Sequence, residues 1–171
     1  MSFTRQEEHR AVAFATTELL GHAQWYLTHD GNGKPQLHLF SEAQHQALSV
    51  SHVEMDGEVW AAVARWDDGR STGGVDLVLM DDLRVQRVAP RVMSTEEQTQ
   101  WQGKEAWAWA TKEAMFKGHG PDLEFQSQAL LTQAMNTHQG LSGTVRGEVR
   151  GEPWEGAWGL VRQRLLLVWG S

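Results

Sequence analysis

Three observations predict an α+β fold for this 171-residue chain. A helical pattern opens it. A second helical block fills its middle. Short apolar segments, many of them set off by Gly, Asn and Asp turn signals, account for most of the remainder. The length suits one ordinary domain or two small fused halves.

Taken in order, Arg10 to Leu20 carries Ala11, Phe14, Ala15 and Leu19 at helical spacing, and Gly21 follows as its stop. Gln24–Thr28 reads as a strand, Asp30-Gly-Asn-Gly33 as a turn, and Lys34–Phe40 as a returning strand with Pro35 at its edge or start. Ala47–His52 and Glu58–Arg65 read as two more strands, with Asp67-Asp-Gly69 turning the chain after them. Gly74–Met80 is a strand in which Asp76 is the only charge. Burying a lone carboxylate is costly, so Asp76 calls for a cation, a metal or several hydrogen bonds.

Asp81 and Asp82 suit a helix N-terminus, and Leu83–Met93 reads as that helix, bent or shortened by Pro90. Ser94-Thr-Glu-Glu97 is a capping box that predicts one long helix ending near Lys117. Ala106, Ala110 and Ala114 make a narrow ridge on it, which lets another element approach closely. Ser127–Asn136 reads as a helix or an irregular strand. Residues 143–150, 156–161 and 165–169 read as terminal antiparallel strands. Trp101-Gln-Gly-Lys-Glu-Ala106 echoes Trp109-Ala-Thr-Lys-Glu-Ala114, but eight residues leave the two about 80° out of phase on a helix. The first copy therefore reads as a surface coincidence.

The composition is that of a soluble globular protein, 40% hydrophobic and 22% charged, with nine tryptophans and no cysteine. Disulfides and thiolate chemistry are excluded. The polar start and the short apolar runs, far below the ~20 residues of a membrane helix, point to a cytoplasmic protein. Net charge is −7. Residues 1–72 carry five basic and ten acidic side chains, and 73–171 carry ten and twelve. General nucleic-acid binding is therefore disfavoured, and the cations concentrate in the second half.

Asp30-Gly-Asn-Gly-Lys34 lacks the spacing of a phosphate loop, and no HExxH occurs. What remains is Trp109–Gly120. There Glu113 and Lys117, four residues apart, share a helical face with Trp109. A carboxylate and ammoniums against an apolar wall suit proton transfer or phosphate binding. Asp76 and Glu113 are a donor pair of the kind that holds Mg²⁺ together with substrate phosphates. Lys34, His52, Lys112 and Lys117 supply cations for phosphate charge, so the residues suggest phosphate-ester or pyrophosphate chemistry.

Four segments, in order, resemble the 4′-phosphopantetheinyl transferases, particularly the fused, pseudo-dimeric type. They are Gly33-Lys34-Pro35, Ser49-Val-Ser-His52, Gly74-Val-Asp-Leu77 and Trp109-Ala-Thr-Lys-Glu-Ala-Met-Phe-Lys117 with Gly120. Arg84–Arg91 and Ser94–Glu97 fit the helix and SxEE segment between the last two. The resemblance implies two similar α+β halves, 1–72 and 73–171, related by a pseudo-two-fold, with antiparallel strands packed on a long helix. The active site would lie between the halves of a monomer. It implies transfer of the phosphopantetheine arm of coenzyme A to a serine of an acyl or peptidyl carrier protein, with release of 3′,5′-ADP. Asp76 and Glu113 would hold Mg²⁺, and Glu113 would also be the base. Lys112 and Lys117 would bind phosphate oxygens. Ser51 and His52 would contact coenzyme A phosphates, Lys34 the nucleotide region, and Arg10 the 3′-phosphate.

One position departs from the pattern. Fused members usually carry a second acid two residues after the strand Asp; here Val78 stands there, followed by Leu79. That keeps a second reading open, a non-catalytic relative that binds coenzyme A or a carrier protein without transfer. Arg84, Arg87 and Arg91 share one helical face, either a solvated stripe or a dock for an acidic carrier helix.

Overall fold

A computed structural model describes residues 4–42, 46–66, 73–138 and 141–171. The chain is mixed α+β, as expected. The first sheet has four antiparallel strands in sequence order: β1 (Trp25–His29), β2 (Pro35–Leu39), β3 (Gln46–Met55) and β4 (Glu58–Arg65). Helix α1 (Arg5–Leu20) packs against β4 and, less extensively, β3. The second sheet has five antiparallel strands, β5 (Gly74–Leu79), β6 (Ala129–His138), β7 (Ser142–Val149), β8 (Glu152–Val161) and β9 (Leu165–Gly170), in spatial order β5-β9-β8-β7-β6. The predicted turn at Asp67-Asp-Gly69 and the boundary after residue 72 lie outside the described residues.

Two sequence expectations are corrected. The long helix from Ser94 to Lys117 is broken into α3 (Thr95–Gln100) and α4 (Glu105–His119); α2 (Leu83–Val92) precedes them. The break follows from Trp101, which is 1% exposed, and from Gly103, whose φ of 76° is left-handed. Burying the Trp101 indole outweighs helix continuity, so Trp101 is core and not a surface echo. The ambiguous segment after Gly120 is a one-turn helix, α5 (Phe125–Gln128), leading directly into β6, whose register with β7 slips near Leu131 and Gln133.

The main core lies between α2, α4 and the second sheet, filled by Trp101, Trp154, Trp158 and Met115. The alanine ridge does what its narrowness predicts. Ala106, Ala110 and Ala114 are buried, and β5 approaches α4 backbone to backbone. A Cβ at Gly74 would sit 1.8 Å from the Ala114 carbonyl oxygen.

The two sheets meet where β5, an edge strand, lies along β3. Its outward N–H groups would be unsatisfied. Ser49 and Ser51, two residues apart and so on one face of β3, supply the acceptors. The Val75 N–H donates to Ser49 Oγ at 2.9 Å, and the Leu77 N–H to Ser51 Oγ at 3.1 Å. Met55, Leu77 and Leu165 form a small apolar cluster beside this seam.

Gly74→Ala is expected to destabilise the chain by about 1–3 kcal/mol, because an added methyl must displace helix backbone. Urea titration measures it; an unchanged midpoint would show that α4 and β5 do not need this contact.

Candidate active site

Alternation along β5 turns Val75, Leu77 and Leu79 toward the first sheet, and Gly74, Asp76 and Val78 toward α4. Asp76 is 5% exposed, and the cost of burying it is met by two donors. Its Oδ1 accepts from Ser51 Oγ at 2.9 Å and from Lys117 Nζ at 2.6 Å. Lys117 therefore pairs across elements with Asp76, and not along its own helix with Glu113.

Glu113 sits one turn earlier on α4, half-buried, and its carboxylate receives no hydrogen bond from any described residue. Burial raises its pKa from 4.5 to about 7; the nearby Asp76 charge adds to the rise and Lys117 opposes it. Two carboxylates from different elements are thus held together beside one ammonium. Among the described residues, no group of three or more His, Asp or Glu side chains is placed to hold a metal. A two-carboxylate donor set fits a hard cation whose remaining ligands are substrate oxygens and water.

Lys117 also lines a cleft of about 860 Å³ between α1, the strands β1–β3 and the C-terminal end of α4. Lys34 and His52 line it too. Lys34 is positioned by its turn. Asp30 Oδ1 accepts from the Asn32 and Lys34 N–H groups, at 2.9 and 2.8 Å. The Lys34 ammonium donates to the Gly118 carbonyl at 3.2 Å, bridging from the first sheet to the end of α4. Burial lowers its pKa, opposed by Asp30.

Two expected site residues, Lys112 and Arg10, lie away from the cleft, and a third, Ser51, is spent on holding Asp76. Lys112 is fully buried on the far side of α4. It pairs with Glu97 Oε2 at 2.9 Å and donates to the Phe125 and Ala129 carbonyls. Glu97 in turn accepts from the Leu131 and Ser94 N–H groups at 2.7 and 2.8 Å. Lys112 thus clamps α3, α4 and β6 and has no reach to the cleft. Ser51 is buried, with its hydroxyl committed to Asp76 and Leu77. Arg10 faces away, into a groove on the other side of α1.

The basic side chains that α1 does present to the cleft are Arg5 and His9, with the Glu8 carboxylate in the same lining. A helix start placed at Arg10 misses them. Thr4-x-x-Glu7 is the available signal, since the Glu7 carboxylate accepts from the Thr4 N–H at 2.7 Å and starts the helix one turn earlier.

Val78 shares the α4-facing side of β5 with Asp76, but it is packed in the main core with Val85 and Ala89. Arg84, Arg87 and Arg91 are exposed on α2. Arg84 forms a two-point pair with its own N-cap, Asp82.

No protein-family model matches the chain, and no curated protein matches it significantly in sequence.

Because Glu113 binds its proton more tightly folded than unfolded, its contribution to stability is complete below pH 4.5 and is lost as pH rises through about 7. Glu113→Gln should therefore be more stable than the parent at pH 8, by on the order of 2 kcal/mol, and equal to it near pH 4. Thermal melts at the two pH values measure this; a difference independent of pH would mean the carboxylate is not held as described. Lys112→Met should cost about 3–5 kcal/mol by stranding Glu97, read as a lowered denaturant midpoint. A midpoint unchanged in Lys112→Met would rule out a clamping role for the pair.

Proposed function

We propose that the chain transfers the 4′-phosphopantetheine group of coenzyme A to a serine of an acyl or peptidyl carrier protein. The observation that carries this reading is the meeting of Asp76 and Glu113 at Lys117, which itself lines a cleft that also presents Lys34, His52, Arg5 and His9. These are sequence-distant side chains, and they match the requirements of pyrophosphate displacement, which are charge neutralisation and a positioned base.

In the proposed reaction the carrier serine oxygen bonds to the phosphorus bearing the pantetheine arm. The bond from that phosphorus to the bridging oxygen breaks, and 3′,5′-ADP leaves with the electron pair. Glu113 takes the serine proton, directly or through a water; a base poised near pH 7 suits this. Lys117 moves from Asp76 to the phosphate oxygens. Lys34 and His52 bind the nucleotide and its phosphates, with Arg5 and His9 serving the 3′-phosphate in place of Arg10. Mg²⁺ held by Asp76 and Glu113 would supply neutralisation of the pyrophosphate.

The reading further takes 1–72 and 73–171 as halves related by a pseudo-two-fold, with the site at their seam. It takes α2, chiefly through Arg87 and Arg91, as the carrier dock, and the cytoplasm as the compartment. No described helix is long and apolar enough to cross a membrane. A second reading, binding of coenzyme A or a carrier without transfer, is favoured by Val78, which leaves Asp76 and Glu113 as the only carboxylates drawn into the proposed metal site.

Incubation with apo carrier proteins, coenzyme A and Mg²⁺, followed by intact mass measurement of the carrier, tests the reading. The expected result is a gain of one phosphopantetheine arm, abolished in Glu113→Gln while the fold and coenzyme A binding persist. No gain across several carriers, with coenzyme A still bound, would favour the binding reading; undiminished turnover in Glu113→Gln would refute the base.

A further inference from the structure

The outward face of α1 carries features the cleft does not use. Val12 and Thr16 are buried against the first sheet, and Phe14 points the opposite way, 68% exposed. Beside it runs a groove of about 1010 Å³ between α1 and β4, with Ala11 and Ala15 on one wall and Val63 and Trp169 on the other. Trp169 is itself 40% exposed. Arg10 and Glu18, both exposed, flank Phe14 on the same stripe, each four residues from it.

That spacing has a symmetry consequence. When two such helices meet antiparallel about a two-fold axis at Phe14, Arg10 of each copy falls opposite Glu18 of the other. The stripe is complementary to itself, the requirement for an isologous contact. The small Ala11 and Ala15 side chains leave room for the Phe14 ring of the second copy against the groove wall. We propose that this face of α1 docks a second copy of the chain, forming a two-fold dimer that covers Phe14 and the α1–β4 groove. The dimer departs from the monomer implied by the family resemblance. It is independent of the proposed reaction, but it braces the helix whose other face lines the cleft.

Sedimentation equilibrium over a range of protein concentrations, at low and high salt, tests the proposal. The parent chain should self-associate to a dimer, and Phe14→Asp should be monomeric while retaining the parent's circular dichroism spectrum. Arg10→Glu alone and Glu18→Arg alone each place like charges at both ends of the contact, so each should dimerise roughly tenfold more weakly. An equimolar mixture of the two variants should recover dimers, because the two acidic positions of one chain then face the two basic positions of the other. A parent chain that stays monomeric overturns the proposal. A dimer that ignores Phe14→Asp, or two charge variants that fail to rescue each other, overturns the geometry.

Discussion

A buried carboxylate organises this molecule. Asp76 lies on an edge strand, nearly free of solvent, and a charge there is tolerable only with donors at hand. The donors come from two different elements, Ser51 on β3 and Lys117 on α4. Satisfying one side chain therefore fixes the first sheet, the second sheet and the central helix relative to one another. The same demand explains why the α4–β5 contact is so close. With Gly74 against the Ala114 carbonyl, the ammonium of Lys117 reaches the strand two residues further along.

The site and the scaffold use the same chemistry on opposite faces of α4. On one face Lys117 meets Asp76 beside a cleft; on the other Lys112 meets Glu97 with no solvent at all. The inner pair has every strong hydrogen-bonding group satisfied by α3, α5 and β6. It is a structural clamp. The outer trio leaves Glu113 half-buried, and that burial, with the Asp76 charge beside it, holds its proton to about pH 7. An under-satisfied carboxylate next to a satisfied one is the asymmetry that acid–base chemistry requires.

Most strands are legible in the sequence because alternation and turn residues mark them locally, as alternation does in Ala47–His52. Asp76 also stands out, since a lone acid in an apolar strand has few physical explanations. The break at Trp101 is not legible, because the capping box before it and the alanines after it both favour helix; only the tertiary burial of the indole decides against continuity. Lys112 is misplaced by sequence for a related reason. Spacing assigns residues to helix faces, but which face meets the sheet is set by packing. Arg10 takes the place of Arg5 and His9 in any reading that starts the first helix one turn late.

The links that build the candidate site span long stretches of chain. Ser51 to Asp76 covers 25 residues, Asp76 to Lys117 covers 41, and Lys34 to Gly118 covers 84. Closing loops of that length costs chain entropy that local helices and hairpins do not incur. The hairpins β1–β2 and β3–β4 and the helix α4 can each form from neighbouring residues, whereas the cleft exists only once all of them have docked. Its geometry is therefore the last part of the molecule to assemble. Partial unfolding along the seam, where serine hydroxyls stand in for a backbone ladder, would dismantle it while both sheets stay paired.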